Sequence, residues 1–406
     1  MMSHGYNPEW SEGSVKPPIF QTSTFIFKNA AEGKRFFEIA YGKSTLNKDE
    51  QLGLIYSRIN NPNMEILEER LSKLEESEDA AAFESGMSAI STTMLAYVKP
   101  GDTILFSNPT YGGTHSFAHN FLKGIGVNIV SFHSESTFQD ILKKLKKDNL
   151  DKSLKMIYVE TPANPTNSLI DLKLIQKIKK KISESNSNEI ISVVDNTYLG
   201  PIWQNPLKFG VDIVCYSATK FLNGHSDVIA GAIMGSKEKV SKVKNLRTFL
   251  GSMIAPYTAW LLTRSLETLH VRMDYQLKNT KKIVDFLLKH KKIQNIYFPG
   301  LKSMGNKQLK IYKSQCLAGG AMIGFEVKGD EKSAFKVLNS LKLIKLAVSL
   351  GSNESLAQHP YSMTHCDVPD DIKKKIGISQ GLIRLSVGIE NAIDIIDDLS
   401  QALKKI

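Results

Sequence analysis

The stretch VVDNTYLGPIWQNPLKFGVDIVCYSATKFLNGHSDVIA, residues Val193 to Ala230, contains two short apolar segments that each run into polar side chains. Ile190 to Val194 leads into Asp195, and Asp212 to Tyr216 leads into Ser217, Ala218, Thr219 and Lys220. Short β-branched segments of this kind predict buried strands. The carboxyl ends of strands in an open α/β sheet are where ligands bind. The stretch therefore predicts that an acid, two hydroxyls and a lysine meet at one sheet edge.

These side chains have complementary chemistry. Asp195 at a buried strand end needs a cationic partner, which the protonated ring nitrogen of a cofactor supplies. Partial burial lowers the pKa of Lys220 and frees its amine to attack a carbonyl. Ser217 and Thr219 alternate along the strand end and can donate hydrogen bonds to a phosphate. Together they indicate pyridoxal 5′-phosphate (PLP) held as a Schiff base on Lys220. Taken alone, the pair also fits a surface lysine and a capping aspartate.

Composition restricts the class of protein. A chain of 406 residues with 42% hydrophobic residues has room for one large domain and a smaller second one. The three cysteines, Cys215, Cys316 and Cys366, form no C-x-x-C pair, which disfavours a disulfide framework or a cysteine-rich zinc site and indicates the cytoplasm. The apolar runs are too short for a membrane span, and the N-terminus lacks a signal-peptide pattern. We therefore expect a cytoplasmic protein with no metal and no membrane partner.

The net charge of +11 raises the question of a polyanionic partner. Lysines such as Lys143 to Lys147 and Lys177 to Lys181 are interleaved with Ile and Leu, as on the solvated faces of amphipathic helices. No RNA-binding aromatic motif, zinc finger or basic tail accompanies them. We therefore expect no nucleic-acid partner, and we ascribe the charge to solubility and to attraction of anionic small molecules.

Residues 1–60 are predicted to form an extended N-terminal arm that lies on another surface, for which a second subunit is a candidate. The arm carries a polar tract from Tyr41 to Gly53, which is either a disordered loop or an active-site lid. Tyr56 and Arg58 close the arm. They are either an ordinary exposed pair or a phenol and a guanidinium that reach an anion across a subunit interface.

Strands alternate with helices over residues 61–256, which predicts a large α/β domain with a mostly parallel sheet flanked by helices. Ser85, Gly86 and Met87 separate the strand Ala80 to Phe83 from a helix at Ser88 to Tyr97. Their backbone N–H groups form either a phosphate cradle or an ordinary N-cap turn. Tyr111 and Asn164 follow two further strands, so we expect them at the same sheet edge.

Residues 257–406 are predicted to form a smaller α+β C-terminal domain. Its strand Leu382 to Val387 carries Arg384 among apolar residues. A buried guanidinium needs an anion, which is either a substrate carboxylate or an acidic residue in a structural salt bridge. His225, His359 and His365 lie in loop-like stretches without metal-ligand spacing, and we treat them as structural.

Seven motifs in a fixed order carry a family resemblance. They are YSRINNPN from Tyr56, ESGMSAI from Glu84, NPTYGGT from Asn108, ETPANPT from Glu160, VVDNTYLGP from Val193, YSATKFLNGHSDVIAGA from Tyr216 and RLSVGIE from Arg384. With them the chain resembles the PLP-dependent enzymes of cysteine and methionine metabolism, which include methionine γ-lyase, cystathionine γ-lyase, cystathionine γ-synthase and O-acetylhomoserine sulfhydrylase. The resemblance implies the fold of type I PLP enzymes, similar to aspartate aminotransferase, and a homotetramer built from active dimers.

The resemblance also assigns roles to residues. It implies that Lys220 binds the cofactor covalently, that Asp195 pairs with the pyridine nitrogen, and that Tyr111 stacks on the ring and acts as an acid or base near the leaving group. It implies that Asn164 contacts the ring hydroxyl. The residues implied to hold the phosphate are Gly86, Met87, Ser217 and Thr219, with Tyr56 and Arg58 of a neighbouring subunit. The substrate carboxylate is implied to bind Arg384, Ser349 and Asn164.

The reaction within the family is open at this point. The segments from Ala347 and from Gly377 resemble methionine γ-lyase most, whereas Gly113 stands where many of those lyases have cysteine, and Arg247-Thr248 where they have a lysine and an aspartate. We expect γ-elimination on a sulfur amino acid by a carbon–sulfur lyase. The alternatives are γ-replacement on an O-acylhomoserine and, from another class, a catalytically idle cofactor-binding protein.

Overall fold

The computed structural model describes residues 2–48, 50, 52–185, 189–366 and 368–406. The strands within these ranges are β1 (Asp79–Phe83), β2 (Thr103–Ser107), β3 (Asn128–Phe132), β4 (Leu154–Glu160), β5 (Ile191–Asp195), β6 (Ile213–Ser217), β7 (Gly231–Gly235), β8 (Ile293–Tyr297), β9 (Met322–Val327), β10 (Lys345–Leu346), β11 (Leu356–Gln358) and β12 (Leu382–Ser386). The α-helices are α1 (Ala30–Ala40), α2 (Pro62–Glu75), α3 (Gly86–Tyr97), α4 (Gly112–Ser116), α5 (Phe138–Lys147), α6 (Leu172–Ser183), α7 (Gly200–Trp203), α8 (Lys237–Leu250), α9 (Pro256–Leu266), α10 (Leu269–Lys289), α11 (Asn306–Gln315), α12 (Glu331–Ser340), α13 (Asp370–Lys375) and α14 (Ala392–Leu403).

The larger sheet of the described chain has seven strands in the order β1-β7-β6-β5-β4-β2-β3. The strands from β6 to β3 are mutually parallel, and β7 lies antiparallel between β6 and β1. Asp195 lies opposite Cys215 in the register of β5 with β6, and opposite Glu160 in the register of β5 with β4. The prediction of a mostly parallel sheet, with Asp195 and Ser217 ending neighbouring strands, is confirmed.

Apolar residues on both faces of this sheet explain its position inside the protein. Along β4, Met156 and Tyr158 belong to the hydrophobic cluster that includes residues of α3, whereas Ile157 and Val159 belong to the cluster that includes residues of α5 and α6. Successive side chains of a strand point to opposite faces, so a strand covered on both faces needs a nearly continuous apolar run. The core therefore fixes the strand ends from both sides.

A second, smaller sheet has five strands in the described chain, in the order β10-β11-β12-β9-β8. It is antiparallel except for the pair β10 and β11. Ile383 and Leu385 of β12 pack with Val337 of α12 and Leu399 of α14 in one hydrophobic cluster. This sheet matches the predicted α+β C-terminal part, while the division of the chain at residues 60 and 256 stays a prediction.

The N-terminal 60 residues differ from the predicted extended arm, because they contain α1. Asn29 caps this helix by accepting a hydrogen bond from the backbone N–H of Glu32. The Arg35 guanidinium then donates to both carboxylate oxygens of Glu50, at 2.9 and 2.6 Å, and to the carbonyl oxygen of Thr45 at 2.7 Å. The tract from Tyr41 to Gly53 is thus tied back onto α1, with residues 49 and 51 outside the described ranges.

Among the described residues, no helix combines the length and the apolar character needed to cross a lipid bilayer.

Candidate active site

A cavity of about 620 Å³ lies at the carboxyl ends of β4, β5 and β6, and it is also lined by residues of the smaller sheet. Ten of the twelve predicted site residues line it: Gly86, Met87, Tyr111, Asn164, Asp195, Ser217, Thr219, Lys220, Ser349 and Arg384. The structure therefore brings together residues that span almost three hundred positions of the chain.

Asp195 is buried at one end of the cavity. Its Oδ1 accepts hydrogen bonds from the Thr197 hydroxyl at 2.6 Å and from the Thr197 backbone N–H at 3.0 Å. The same hydroxyl accepts a hydrogen bond from the backbone N–H of Ser217 at 2.9 Å. Burial raises the pKa of the Asp195 carboxyl, although the two bonds from Thr197 act in the opposite direction. A cation placed against this carboxylate would lower its pKa.

Lys220 lies in the tight turn after β6, where its backbone N–H donates to the Ser217 carbonyl oxygen at 3.1 Å. Its Nζ donates to the Ser349 hydroxyl at 3.0 Å. Burial lowers the pKa of the Lys220 amine to about 8, and the positive charge of Arg384 contributes to the shift. A substantial fraction of the amine is consequently unprotonated, and nucleophilic, at neutral to mildly alkaline pH.

The N-terminus of α3 opens into the cavity. Helix α3 begins at Gly86 and not at the predicted Ser88, because Ser85 is the N-cap and its hydroxyl accepts from the Ser88 backbone N–H at 3.0 Å. The helical hydrogen bonds start at Ala89, so the N–H groups of Gly86 and Met87 lie ahead of them. A Cβ on Gly86 would lie 2.9 Å from the Ser217 Cβ, so only glycine lets helix and strand end approach this closely.

The two predicted hydroxyls differ in their surroundings. Ser217 ends β6 directly against Gly86. The Thr219 hydroxyl bonds to the backbone of Ala230, donating to its carbonyl oxygen at 3.1 Å and accepting from its N–H at 2.9 Å. Thr219 therefore stabilises the turn between β6 and β7 as well as lining the cavity.

Arg384 is buried on β12, and its guanidinium donates to Asn164 Oδ1 at 3.1 Å and to the Ser349 carbonyl oxygen at 2.8 Å. The arginines that form ion pairs within the described residues are Arg35, Arg70 and Arg247. The alternative of a structural salt bridge at Arg384 is thus wrong for the described part of the chain. A buried guanidinium whose partners are neutral can bind an anion, and the predicted role of Arg384 at a substrate carboxylate stays a prediction.

Tyr56 and Arg58 do not line the cavity of their own chain. The Tyr56 ring is 41% exposed, and the Arg58 guanidinium lies 5.8 Å from its centroid. Arg58 donates to the carbonyl oxygen of Thr248 at 2.8 Å. The expectation that they act on a neighbouring subunit stays a prediction.

The donor set fits PLP. The N–H groups at the N-terminus of α3 can bind a phosphate. The buried Asp195 carboxylate can pair with a protonated ring nitrogen, and the Lys220 amine, with its lowered pKa, can react with an aldehyde. Residues 1–404 match the family described as Cys/Met metabolism PLP-dependent enzyme. The chain belongs to this family. The predicted family and cofactor are confirmed.

Relatives within the Cys/Met metabolism family are similar over their whole length. L-methionine γ-lyase of Fusobacterium nucleatum is 41% identical over 396 residues, which cover 97% of this chain and 94% of the relative. Cystathionine γ-lyase of Bacillus subtilis is 36% identical over 408 residues, covering 100% and 98%. The crystal structure of cystathionine γ-lyase from Lactobacillus plantarum complexed with L-serine superposes with a TM-score of 0.86 at 32% identity, covering 100% and 97%. These likenesses confirm the fold class of the PLP enzymes in this family.

The lining residues that were not among the sequence predictions include Thr197 and Glu160. Thr197 connects Asp195 with Ser217, and Glu160 accepts hydrogen bonds from the backbone N–H groups of Tyr111 and Asn164. The sequence pattern that identified Asp195 also applies to Glu160, since Glu160 is an acid at the end of a buried apolar strand. Thr197 follows Asp195 by two positions, a spacing at which an aspartate side chain can bond to the backbone ahead of it.

Proposed function

We propose that this protein is a PLP-dependent carbon–sulfur lyase that cleaves L-methionine by γ-elimination. Methionine and water would give 2-oxobutyrate, methanethiol and ammonia. The observation that carries the proposal is the placement of two cations on one residue. Arg384 donates to the carbonyl oxygen of Ser349 at 2.8 Å, and Lys220 donates to its hydroxyl at 3.0 Å. A carboxylate-binding group thus lies beside the amine proposed to hold the cofactor, so a substrate bound through its α-carboxylate would place its α-amino group and α-carbon near the point of attachment.

The substrate carboxylate would bind to Arg384. Its planar guanidinium can hold a carboxylate through two parallel hydrogen bonds, and Asn164 and the Ser349 carbonyl already fix its orientation. Because the group is buried, this ion pair forms in a low dielectric and is stronger than one on the surface.

Lys220 would be the base that removes the α-proton and then moves protons at the β-carbon. The lowered pKa of its amine leaves it unprotonated often enough to accept a proton near neutral pH. When bound, PLP supplies an electron sink for the electrons that the departing α-proton leaves behind. Asp195 would keep the ring nitrogen protonated, and Tyr111 would hold or donate a proton at the departing sulfur.

The phosphate would bind at the N-terminus of α3. The N–H groups of Gly86 and Met87 and the hydroxyls of Ser217 and Thr219 would hold it, and the helix dipole favours a negative charge there. Asn164 would contact the ring hydroxyl.

A second copy of the chain would complete the site. Arg58 donates to the carbonyl oxygen of Thr248, which directly precedes Phe249 and Leu250, and these two side chains are 71% and 52% exposed. Large apolar side chains beside a guanidinium are typical of protein interfaces. We propose a homotetramer built from active dimers, in which these residues reach the phosphate of the partner.

We also propose a cytoplasmic location. The free thiols of Cys215, Cys316 and Cys366 support it, because a reducing compartment keeps cysteines in this form.

A substrate panel tests the reaction. The holoenzyme is incubated separately with methionine, cystathionine and an O-acylhomoserine, each with and without cysteine or sulfide. Release of 2-oxobutyrate and methanethiol from methionine without a thiol acceptor is the expected result. Product that requires the acceptor would establish γ-replacement instead, and a lack of turnover with the whole panel would establish an idle cofactor-binding protein.

A further inference from the structure

Glu160 connects two loops that approach the cavity from neighbouring strands. Its Oε2 accepts a hydrogen bond from the Tyr111 backbone N–H at 2.6 Å, and its Oε1 accepts one from the Asn164 backbone N–H at 2.9 Å. Tyr111 follows β2, whereas Asn164 follows β4. One carboxylate therefore sets the distance between the two loops.

The backbone of Glu160 is itself held in place by β2. The Glu160 backbone N–H donates to the Ser107 hydroxyl at the end of β2, at 2.9 Å, and the side chain is 5% exposed. Tyr111, in contrast, is 46% exposed and is the N-cap of α4, where its carbonyl oxygen accepts from the His115 backbone N–H at 2.9 Å. The bond from its own N–H to Glu160 is therefore what links this helix N-terminus to the end of β4.

A carboxylate, with two acceptor oxygens, satisfies both N–H groups in this geometry. A glutamine has one acceptor oxygen, and its amide NH₂ would face a backbone donor. One buried N–H group would then lose its partner, which is more costly than the loss of an exposed hydrogen bond.

Glu160 also lies beside Asp195, its partner in the register of β4 and β5. Burial raises the pKa of Glu160 to about 8, and the charge of Asp195 adds to the shift. A positive ring nitrogen bound at Asp195 would favour the charged form of Glu160 through the same proximity. Binding of the cofactor would then strengthen the two hydrogen bonds by which Glu160 holds the loops of Tyr111 and Asn164.

We propose that Glu160 is a positioning residue that sets the placement of Tyr111 and Asn164 against the bound cofactor. The inference deepens the proposed function, since it concerns the same site. It predicts that Glu160 determines the affinity for PLP and the orientation of its ring without touching the reacting atoms.

The test compares Glu160→Gln with the wild-type protein in the absence of substrate. Apo protein is titrated with PLP to obtain the dissociation constant, and the visible circular dichroism of the bound cofactor reports the asymmetry of its surroundings. We expect roughly tenfold weaker binding, the consequence of one buried N–H group left without a partner, and a reduced dichroic band.

Asp398→Asn is the matched control. The Asp398 carboxylate is also buried and accepts hydrogen bonds from the backbone N–H groups of Lys342, Leu343 and Ile344, each at 2.9 Å, but it does not line the cavity. We expect this variant to lower the unfolding temperature while leaving the dissociation constant of PLP and the dichroic band unchanged.

Glu160→Asp tests whether the length of the side chain matters apart from its charge. It also takes the place of the glutamine variant if that variant does not fold. The shorter side chain keeps the charge but cannot span both loops, so we expect weakened PLP binding here too. Wild-type PLP affinity and dichroism in either folded variant would overturn the proposal. Failure of the proposed function is seen separately, as wild-type enzyme that releases no 2-oxobutyrate from methionine, because the binding measurements use no substrate.

Discussion

Ser349 shows how much of the site depends on a single backbone conformation. Its φ of +79° lies in the left-handed region, which a residue with a Cβ adopts at a cost. In that conformation its hydroxyl accepts from Lys220 while its carbonyl oxygen accepts from Arg384. The strain at this one residue is therefore coupled to the placement of both cations.

Two substitutions at Ser349 distinguish the energetic cost of its backbone conformation from the contribution of its hydroxyl. Ser349→Ala removes the hydroxyl and keeps the strained backbone, whereas Ser349→Gly removes both. We expect the glycine variant to be more stable than the alanine variant by about 1 kcal/mol, measured by chemical denaturation of the apo proteins. Both should share the loss of the Lys220 contact. An alanine variant at least as stable as the glycine variant would contradict this interpretation of the backbone.

The amine of Lys220 makes cofactor attachment depend on pH. Its pKa of about 8 means that the ammonium form predominates at lower pH and cannot attack the aldehyde. The rate at which apo protein binds PLP covalently should rise about tenfold per pH unit below 8 and level off above it, as followed by absorbance in rapid mixing.

Two variants control this prediction. Lys220→Ala should show no covalent phase. Arg384→Gln removes the positive charge that helps to lower the pKa, so the inflection should move to higher pH. If the wild-type protein and Arg384→Gln have their inflection at the same pH, Arg384 does not affect the pKa of the Lys220 amine.

At the scale of the elements, the contact between α3 and the end of β6 forms the proposed phosphate site. Gly86→Ala would place a methyl group 2.9 Å from the Ser217 Cβ, so the helix N-terminus must move outward. We expect PLP to bind roughly tenfold more weakly, measured by titration of the apo protein. Gly124→Ala is the control, because a Cβ there meets no atom within 4 Å. Equal effects of the two substitutions would contradict a specific role for the close approach.

The elements also show what sequence can and cannot predict. The ends of β5 and β6 were predictable because a buried apolar run must stop where Asp195 and Ser217 begin. Helix α1 was missed because its capping and its tie to Glu50 depend on residues outside the amphipathic pattern. Glu160 was missed as a site residue because its partners are backbone N–H groups, which every residue except proline has.

On the scale of the whole molecule, the proposed catalytic and substrate-binding groups come from both sheets, since Lys220 follows β6 and Arg384 lies on β12. The proposed active dimer adds a third source, the partner's surface with Tyr56 and Arg58. The expectation that Tyr56 and Arg58 act on the partner comes from the family resemblance. The fold of a single chain could not indicate it, because neither side chain lines the cavity of its own chain.

Mixing two impaired variants tests the shared site. Lys220→Ala and Arg58→Ala should each have little activity as pure proteins. A mixed dimer has one site with an intact Lys220 facing an intact Arg58. After subunit exchange at equal amounts, we expect recovery of about a quarter of wild-type activity, because half of the dimers are mixed and one site in each is intact. No recovery, despite exchange shown by mass spectrometry, would mean that Arg58 acts within its own chain.

The antiparallel strand β7 has a consequence for biosynthesis. Among the strands of the described chain, β1 is the first to leave the ribosome, and its neighbour in the sheet is the much later β7, where Asp79 lies opposite Gly235. Phe83 at its end also bridges Met253, which is later still. Until that late segment emerges, the nascent β1 has an open edge and no neighbour, and such edges invite pairing with other chains. A chaperone that covers the edge of the nascent β1 would prevent such pairing until β7 emerges.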